Sequence, residues 1–220
     1  MSAGTVTLRT SSAALLGGVL SFTGSTPRHD ARRTVEIERL EPATNTWLAA
    51  ASGRVNRHGG FLVRWRTNLL GRVAMRAIVI ASPRARTAST DSSPAAEITI
   101  YLPARASYYG PGFYGQKTAC GQTLSALTIG VANRTLPCGT LVEVSYENQR
   151  LTVPVIDRGP YANGADWDLT QAAAQSLGIT ETVRVGTLIA GSTLNTPTLG
   201  LPPEALQAEQ TAAVTGGAVS

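Results

Sequence analysis

Histidine is scarce in this chain and absent from its second half: the two present are His29 and His58. Proton transfer in residues 95–220 would therefore fall to the aspartates Asp157 and Asp168, because amides such as Gln122 and Asn133 cannot act as acids or bases in that way. Cysteine is as scarce, with Cys120 and Cys138 alone. A pair without a nearby histidine is a poor metal centre, since zinc takes four ligands; no metal is expected. No run of eighteen apolar residues occurs, which excludes a transmembrane helix. The apolar stretch Ala13–Leu20 follows Arg9 but contains two glycines, and no A-x-A site follows it. No signal peptide is evident on that pattern. The glycine-rich G-P-G-F-Y-G segment lacks the lysine and strand–helix setting of a phosphate loop, and no familiar nucleic-acid motif is present.

What remains is a β-rich chain of 220 residues, long enough for one large domain or two small ones. Aromatic content is only 5%, but 43% hydrophobic composition is ample for packed cores. Charge is uneven. Residues 1–94 hold 13 arginines against five acidic residues, whereas residues 95–220 hold six basic and nine acidic ones. A basic half can hold polyanions; scattered arginines on solvated strand faces are the blander reading.

Period-2 alternation marks strands around Val35 and Ile37, around Phe61, Val63 and Trp65, and around Val73, Met75 and Ala77. Turn material such as Arg57-His58-Gly59-Gly60 separates them. Short alternating strands with regular turns predict a β-sandwich over residues 1–80. Residues 81–94 are rich in Ser, Thr, Ala, Arg and Pro and read as a linker. Further strands are expected from Glu97–Leu102, a hairpin from Thr140–Tyr146 and Arg150–Ile156, a helix over Asp168–Leu177 and a last strand over Glu181–Ile189. The Pro-, Ala-, Gly- and Thr-rich tail 192–220 reads as flexible.

Two aspartates stand eleven residues apart in a segment poor in charge. Asp157 ends an apolar run in a D-R-G-P turn, and Asp168 has the D-x-x-Q spacing to Gln171 of a helix capping box. A carboxylate pair on a rigid scaffold is the minimum equipment for acid/base cleavage of a glycosidic bond. Each also has a bland reading, as a turn aspartate and as a cap. Trp167, between aspartates in a loop, reads as an exposed aromatic able to stack on a sugar. Cys120 and Cys138, in a turn-rich β segment, read as a disulfide and hence an oxidising compartment; two buried thiols are the alternative.

Five motifs carry a family resemblance: ASYYGPGFYG (106–115), KTACG (117–121), RTLPCGT (134–140), DRGPY (157–161) and DLTQAAAQSLG (168–178). In this order they resemble the double-psi β-barrel of the rare lipoprotein A (RlpA-like) family, which includes septal lytic transglycosylases; expansins and some endoglucanases share the barrel. The first half more weakly resembles immunoglobulin-like modules of bacterial surface proteins. The resemblance implies a mainly β protein: an immunoglobulin-like sandwich (1–80), a linker (81–94), a six-stranded double-psi β-barrel with one short helix (95–191) and a tail. It implies peptidoglycan glycan strands as substrate and an extracellular or wall-associated setting. Asp157 would be the acid and Asp168 its charge-coupled partner, with Tyr109, Thr118, Gln122, Asn133, Arg158, Tyr161 and Trp167 holding substrate. No cofactor and no nucleic acid are expected, the basic half could hold anionic wall polymers, and the chain reads as a monomer.

The chain departs from that family where a glutamate commonly follows the T-A-x-G motif and a histidine commonly precedes T-L-P; here stand Gln122 and Asn133. Enzymatic cleavage is the leading expectation. A non-catalytic, expansin-like glycan-binding module is the alternative, and a surface adhesion protein with a passive barrel is the third.

Overall fold

The computed structural model describes residues 6–80, 88–162 and 164–207. The chain divides into two compact units between Leu102 and Pro103.

In the first unit, β2 (Val19–Ser25) pairs antiparallel with β5 (Gly60–Arg66) as one small sheet. The other sheet has β3 (Thr34–Glu41) between β4 (Thr46–Arg54) and β6 (Gly71–Ile80), and β6 in turn pairs with the start of β8 (Ala96–Tyr109). The short β1 (Ala13–Leu15) joins β8 in parallel, and β7 (Ala88–Ser92) joins β6. Period-2 alternation does what it must: Phe22, Val35, Ile37, Val63, Met75, Ala77 and Ile100 face inward into one buried cluster, while Leu62, Arg64 and Arg66 face out. The result is a two-sheet sandwich around one core. Of the segment read as a linker, residues 81–87 lie outside the described residues. Residues 88–92 form a strand, and Ser93 is buried with its Oγ accepting from Ala77 N at 2.9 Å.

The second unit is a closed, mixed barrel of six strands. Residues 106–109 of β8 pair in parallel with β12 (Trp167–Thr170), which pairs antiparallel with β9 (Val131–Ala132). Strand β9 pairs in parallel with β11 (Gln149–Asp157), which forms a hairpin with β10 (Thr140–Tyr146). Strand β10 then pairs with β13 (Val183–Ser192), which returns to β8 and closes the ring. The hairpin turns on Glu147-Asn148, so that Gln149 belongs to β11 rather than to the turn.

The helix starts three residues later than the sequence spacing predicts. Helix α1 spans Gln171–Leu177 and its N-cap is Thr170, whose side chain accepts from Ala173 N. Asp168 does not cap it, because parallel pairing with Ser107 keeps it in β12. The helix ends at Gly178, where φ is +71°, a conformation glycine adopts without a Cβ penalty. Ala173, Ala174 and Leu177 seal the barrel core. Beyond β13, the part of the expected tail that is described makes specific contacts: Thr193 N donates to Gly139 O at 2.8 Å, and Ile129 N to Gly200 O at 2.7 Å. Residues 208–220 lie outside the described residues.

Candidate active site

Three backbone segments bring the carboxylates to one cleft. Strand β12 alternates: Trp167 and Leu169 turn into the barrel core, so Asp168 between them turns out of it, half-buried. Its register partner on β8 is Ser107, whose Oγ donates to Asp168 Oδ1 at 2.8 Å. Asp157 ends β11, and its Oδ1 accepts from Ala119 N at 2.9 Å and from Arg158 N at 2.8 Å. The turn that follows needs glycine at 159, where φ is +126°. A cavity of about 350 Å³ opens between these segments, with Ser107, Tyr109, Asp157, Arg158, Tyr161 and Asp168 on its wall. Tyr108 and Phe113 flank it.

The electrostatics of Asp168 have three contributors. Burial pushes the Asp168 carboxyl above the usual carboxylate range; the Ser107 hydrogen bond pulls it back, and the Asp157 charge pushes it up again. Burial and the neighbouring charge thus favour the protonated form of Asp168, against the Ser107 hydrogen bond. Tyr109 faces both acids. Its ring packs edge-on against Phe113, with centroids 6.0 Å apart. Its hydroxyl is buried and directed at the Asp157 carboxylate. Burial first, then the nearby Asp157 carboxylate, and last Asp168, push the phenol well above its ordinary range, so it remains a donor.

Five of the nine residues singled out in the sequence thus meet at one cavity: Tyr109, Asp157, Arg158, Tyr161 and Asp168. Tyr161 is 79% exposed at the rim. Arg158 is held by its own neighbourhood, with Nη1 donating to Asp157 O at 3.3 Å and Asn133 O at 3.4 Å. The other four do not line the cavity. Trp167 is 8% exposed and part of the barrel core, so it is not a stacking platform. Thr118 is buried, donating to Gln122 Oε1 at 3.0 Å. Gln122 is 1% exposed and turned towards residues 195–196. Asn133 Oδ1 accepts from Thr135 N and Leu136 N, closing the turn before β10. Ser107 went unnoticed in the sequence. Only its register against Asp168, across sixty-one positions of chain, marks it. Arg134, by contrast, is structural, donating to Pro160 O and Ala165 O at 2.6 Å each.

Cys120 and Cys138 form a disulfide with Cα atoms 5.8 Å apart, within the span such a bond requires. It ties the T-A-C-G loop to the L-P-C-G turn. Among the described residues, no cluster of three or more His, Cys, Asp or Glu is placed to hold a metal ion.

The lytic transglycolase family profile matches residues 103–188. The chain is similar to the probable endolytic peptidoglycan transglycosylase RlpA of Synechocystis sp., 43% identical over 76 residues, which are 34% of this chain and 24% of that protein. It is similar to endolytic peptidoglycan transglycosylase RlpA of Campylobacter jejuni, 42% identical over 33% of this chain and 27% of the relative. A probable RlpA of Aquifex aeolicus is 43% identical over 36% of each chain. The chain thus spans roughly a quarter to a third of the length of these curated relatives.

Proposed function

Since residues 103–188 form an RlpA-like double-psi β-barrel domain, we propose that this chain cleaves the glycan strands of peptidoglycan as a lytic transglycosylase. The observation that carries the reading is the cleft in which Asp168, its carboxyl raised by burial and by Asp157, stands with Ser107 and Tyr109. Asp168 would protonate the glycosidic oxygen as the C1–O bond breaks, leaving its carboxylate behind. That carboxylate would then take the proton of the same sugar's 6-hydroxyl, whose oxygen closes on C1. The product is an anhydro sugar, no water is consumed, and Asp168 ends protonated as it began. Asp157, held by two backbone N–H groups, would stabilise the positive charge that develops at C1. Tyr109 and Arg158 would orient sugar hydroxyls, and Tyr161 would stack at the rim. A disulfide is in keeping with a periplasmic or wall location.

Purified sacculi incubated with the protein test this. Soluble muropeptides with anhydro ends are the expected product, identified by mass spectrometry; reducing ends would mean hydrolysis and defeat the mechanism. One observation favours the expansin-like alternative: Gln122 and Asn133 are committed to structure and add no acid to the cleft. Sacculi that bind the protein but release nothing would establish that reading. The arginine-rich first half, read as an immunoglobulin-like module, would hold anionic wall polymers, and its binding should weaken with added salt.

A further inference from the structure

Gln122 is a buried amide with every polar atom engaged. Its Oε1 accepts from Thr118 Oγ1 at 3.0 Å, and its Nε2 donates to Asn195 Oδ1 at 2.7 Å and to Thr196 O at 2.6 Å. Asn195 answers from the other side, its Nδ2 donating to Cys120 O at 2.9 Å. The chain after β13 therefore grips the loop 118–122 at two points. Thr193 N on Gly139 O and Ile129 N on Gly200 O anchor the gripping segment to the barrel on either side.

The loop so gripped contains Ala119, whose N–H is one of the two donors on Asp157 Oδ1. Cys120 N also donates to Ile156 O, next to Asp157, at a longer 3.3 Å. The disulfide fixes Cys120 at its side chain, and the Cys120 N–H on Ile156 O fixes the peptide plane before it. Asn195 acts on the next stretch of backbone, through the Cys120 carbonyl. We propose that the Gln122–Asn195 clasp positions Asp157: residues from the C-terminal segment hold the 118–122 loop so that the Ala119 N–H stays on the Asp157 carboxylate. Asn195 and Gln122 are positioning residues and touch no substrate.

The residue types fit this role. Both groups met by Gln122 Nε2 are acceptors, so the site requires a donor. An ionised glutamate at 122 would keep the Thr118 donor on one oxygen but set its other oxygen against two acceptors in a buried site. Asn195 cannot relieve this by turning its amide, because its Nδ2 is needed by the Cys120 carbonyl.

The placement of Asp157 is measured without any assumption about activity; only the turnover readout rests on the glycan-cleaving reading. Amide hydrogen exchange of Ala119 is followed by NMR in the full chain for wild type, Asn195→Ala, Asn195→Asp and Gln122→Glu. Asn195→Asp keeps the shape and the acceptor for Gln122 but sets an oxygen against the Cys120 carbonyl, so it tests the clasp even if the alanine variant does not fold. Each variant should exchange Ala119 at least tenfold faster with the exchange of the β10–β11 hairpin unchanged. Turnover on sacculi should fall at least tenfold in kcat with KM within twofold. Unchanged Ala119 exchange in Asn195→Asp and Gln122→Glu overturns the proposal, as does faster exchange with unchanged kcat. If the wild type releases nothing from sacculi, the proposed activity fails, and the exchange rates alone still decide whether the clasp holds Asp157.

Discussion

Ser107 Oγ sits 2.8 Å from Asp168 Oδ1 because β8 and β12 run parallel in a register that sets the two residues side by side. The hydrogen bond favours the carboxylate and opposes the burial that raises the proton affinity of the acid. Ser107→Ala should therefore raise the Asp168 pKa further. The limb of the pH–rate profile that reports Asp168 should move to higher pH, and carboxyl NMR titration should show the same direction. A shift to lower pH would contradict the geometry.

Asp168→Asn should abolish release of anhydro muropeptides, since the amide has no proton to give. It should not weaken the fold, because Ser107 can donate to the amide oxygen as it does to the carboxylate. The sign of the pH effect follows from the raised carboxyl. The folded state holds the proton more tightly than the unfolded chain, so stability is full below the unfolded value near 3.8 and is lost as pH rises through the folded one. At pH 7 the Asn variant should melt no lower than wild type, and any advantage should vanish below the unfolded value.

The helix cap belongs to Thr170, which also accepts from Gly130 N at 3.1 Å. Thr170→Ala should cost about 1 kcal/mol or more in chemical denaturation from the lost cap. Asp168→Ala should show no such cap loss. The reverse order would restore the capping box that the D-x-x-Q spacing suggested.

Trp167 and Tyr161 should separate stability from binding. Trp167→Ala removes a core side chain and should destabilise by about 3–5 kcal/mol. Tyr161→Ala, at the exposed rim, should leave the melting temperature in place and weaken glycan binding measured by calorimetry. Equal melting temperatures for both variants would remove Trp167 from the core.

Replacing Cys120 and Cys138 by serine should destabilise the barrel by about 3 kcal/mol, the entropy of closing a loop of this length. Differential scanning calorimetry of the double variant measures it, and an unchanged transition would mean the bond constrains nothing.

Strand positions and their inward faces were legible in the sequence because they depend on a local rule. Alternation puts Val35, Ile37, Val63 and Met75 on one side of a pleat, and apolar side chains go inward wherever that side meets a core. The disulfide and the nearness of Asp157 to the cleft were legible from short motifs as well. Trp167 and Gln122 were not, because burial of a particular aromatic or amide is set by what another part of the chain lays over it. For Trp167 that is the barrel core; for Gln122 it is Asn195, seventy-three positions away. The raised proton affinity of Asp168 was beyond the sequence for the same reason: it comes from burial and from neighbours such as Ser107, and those are fixed by strand register across the closed barrel, which no local pattern encodes.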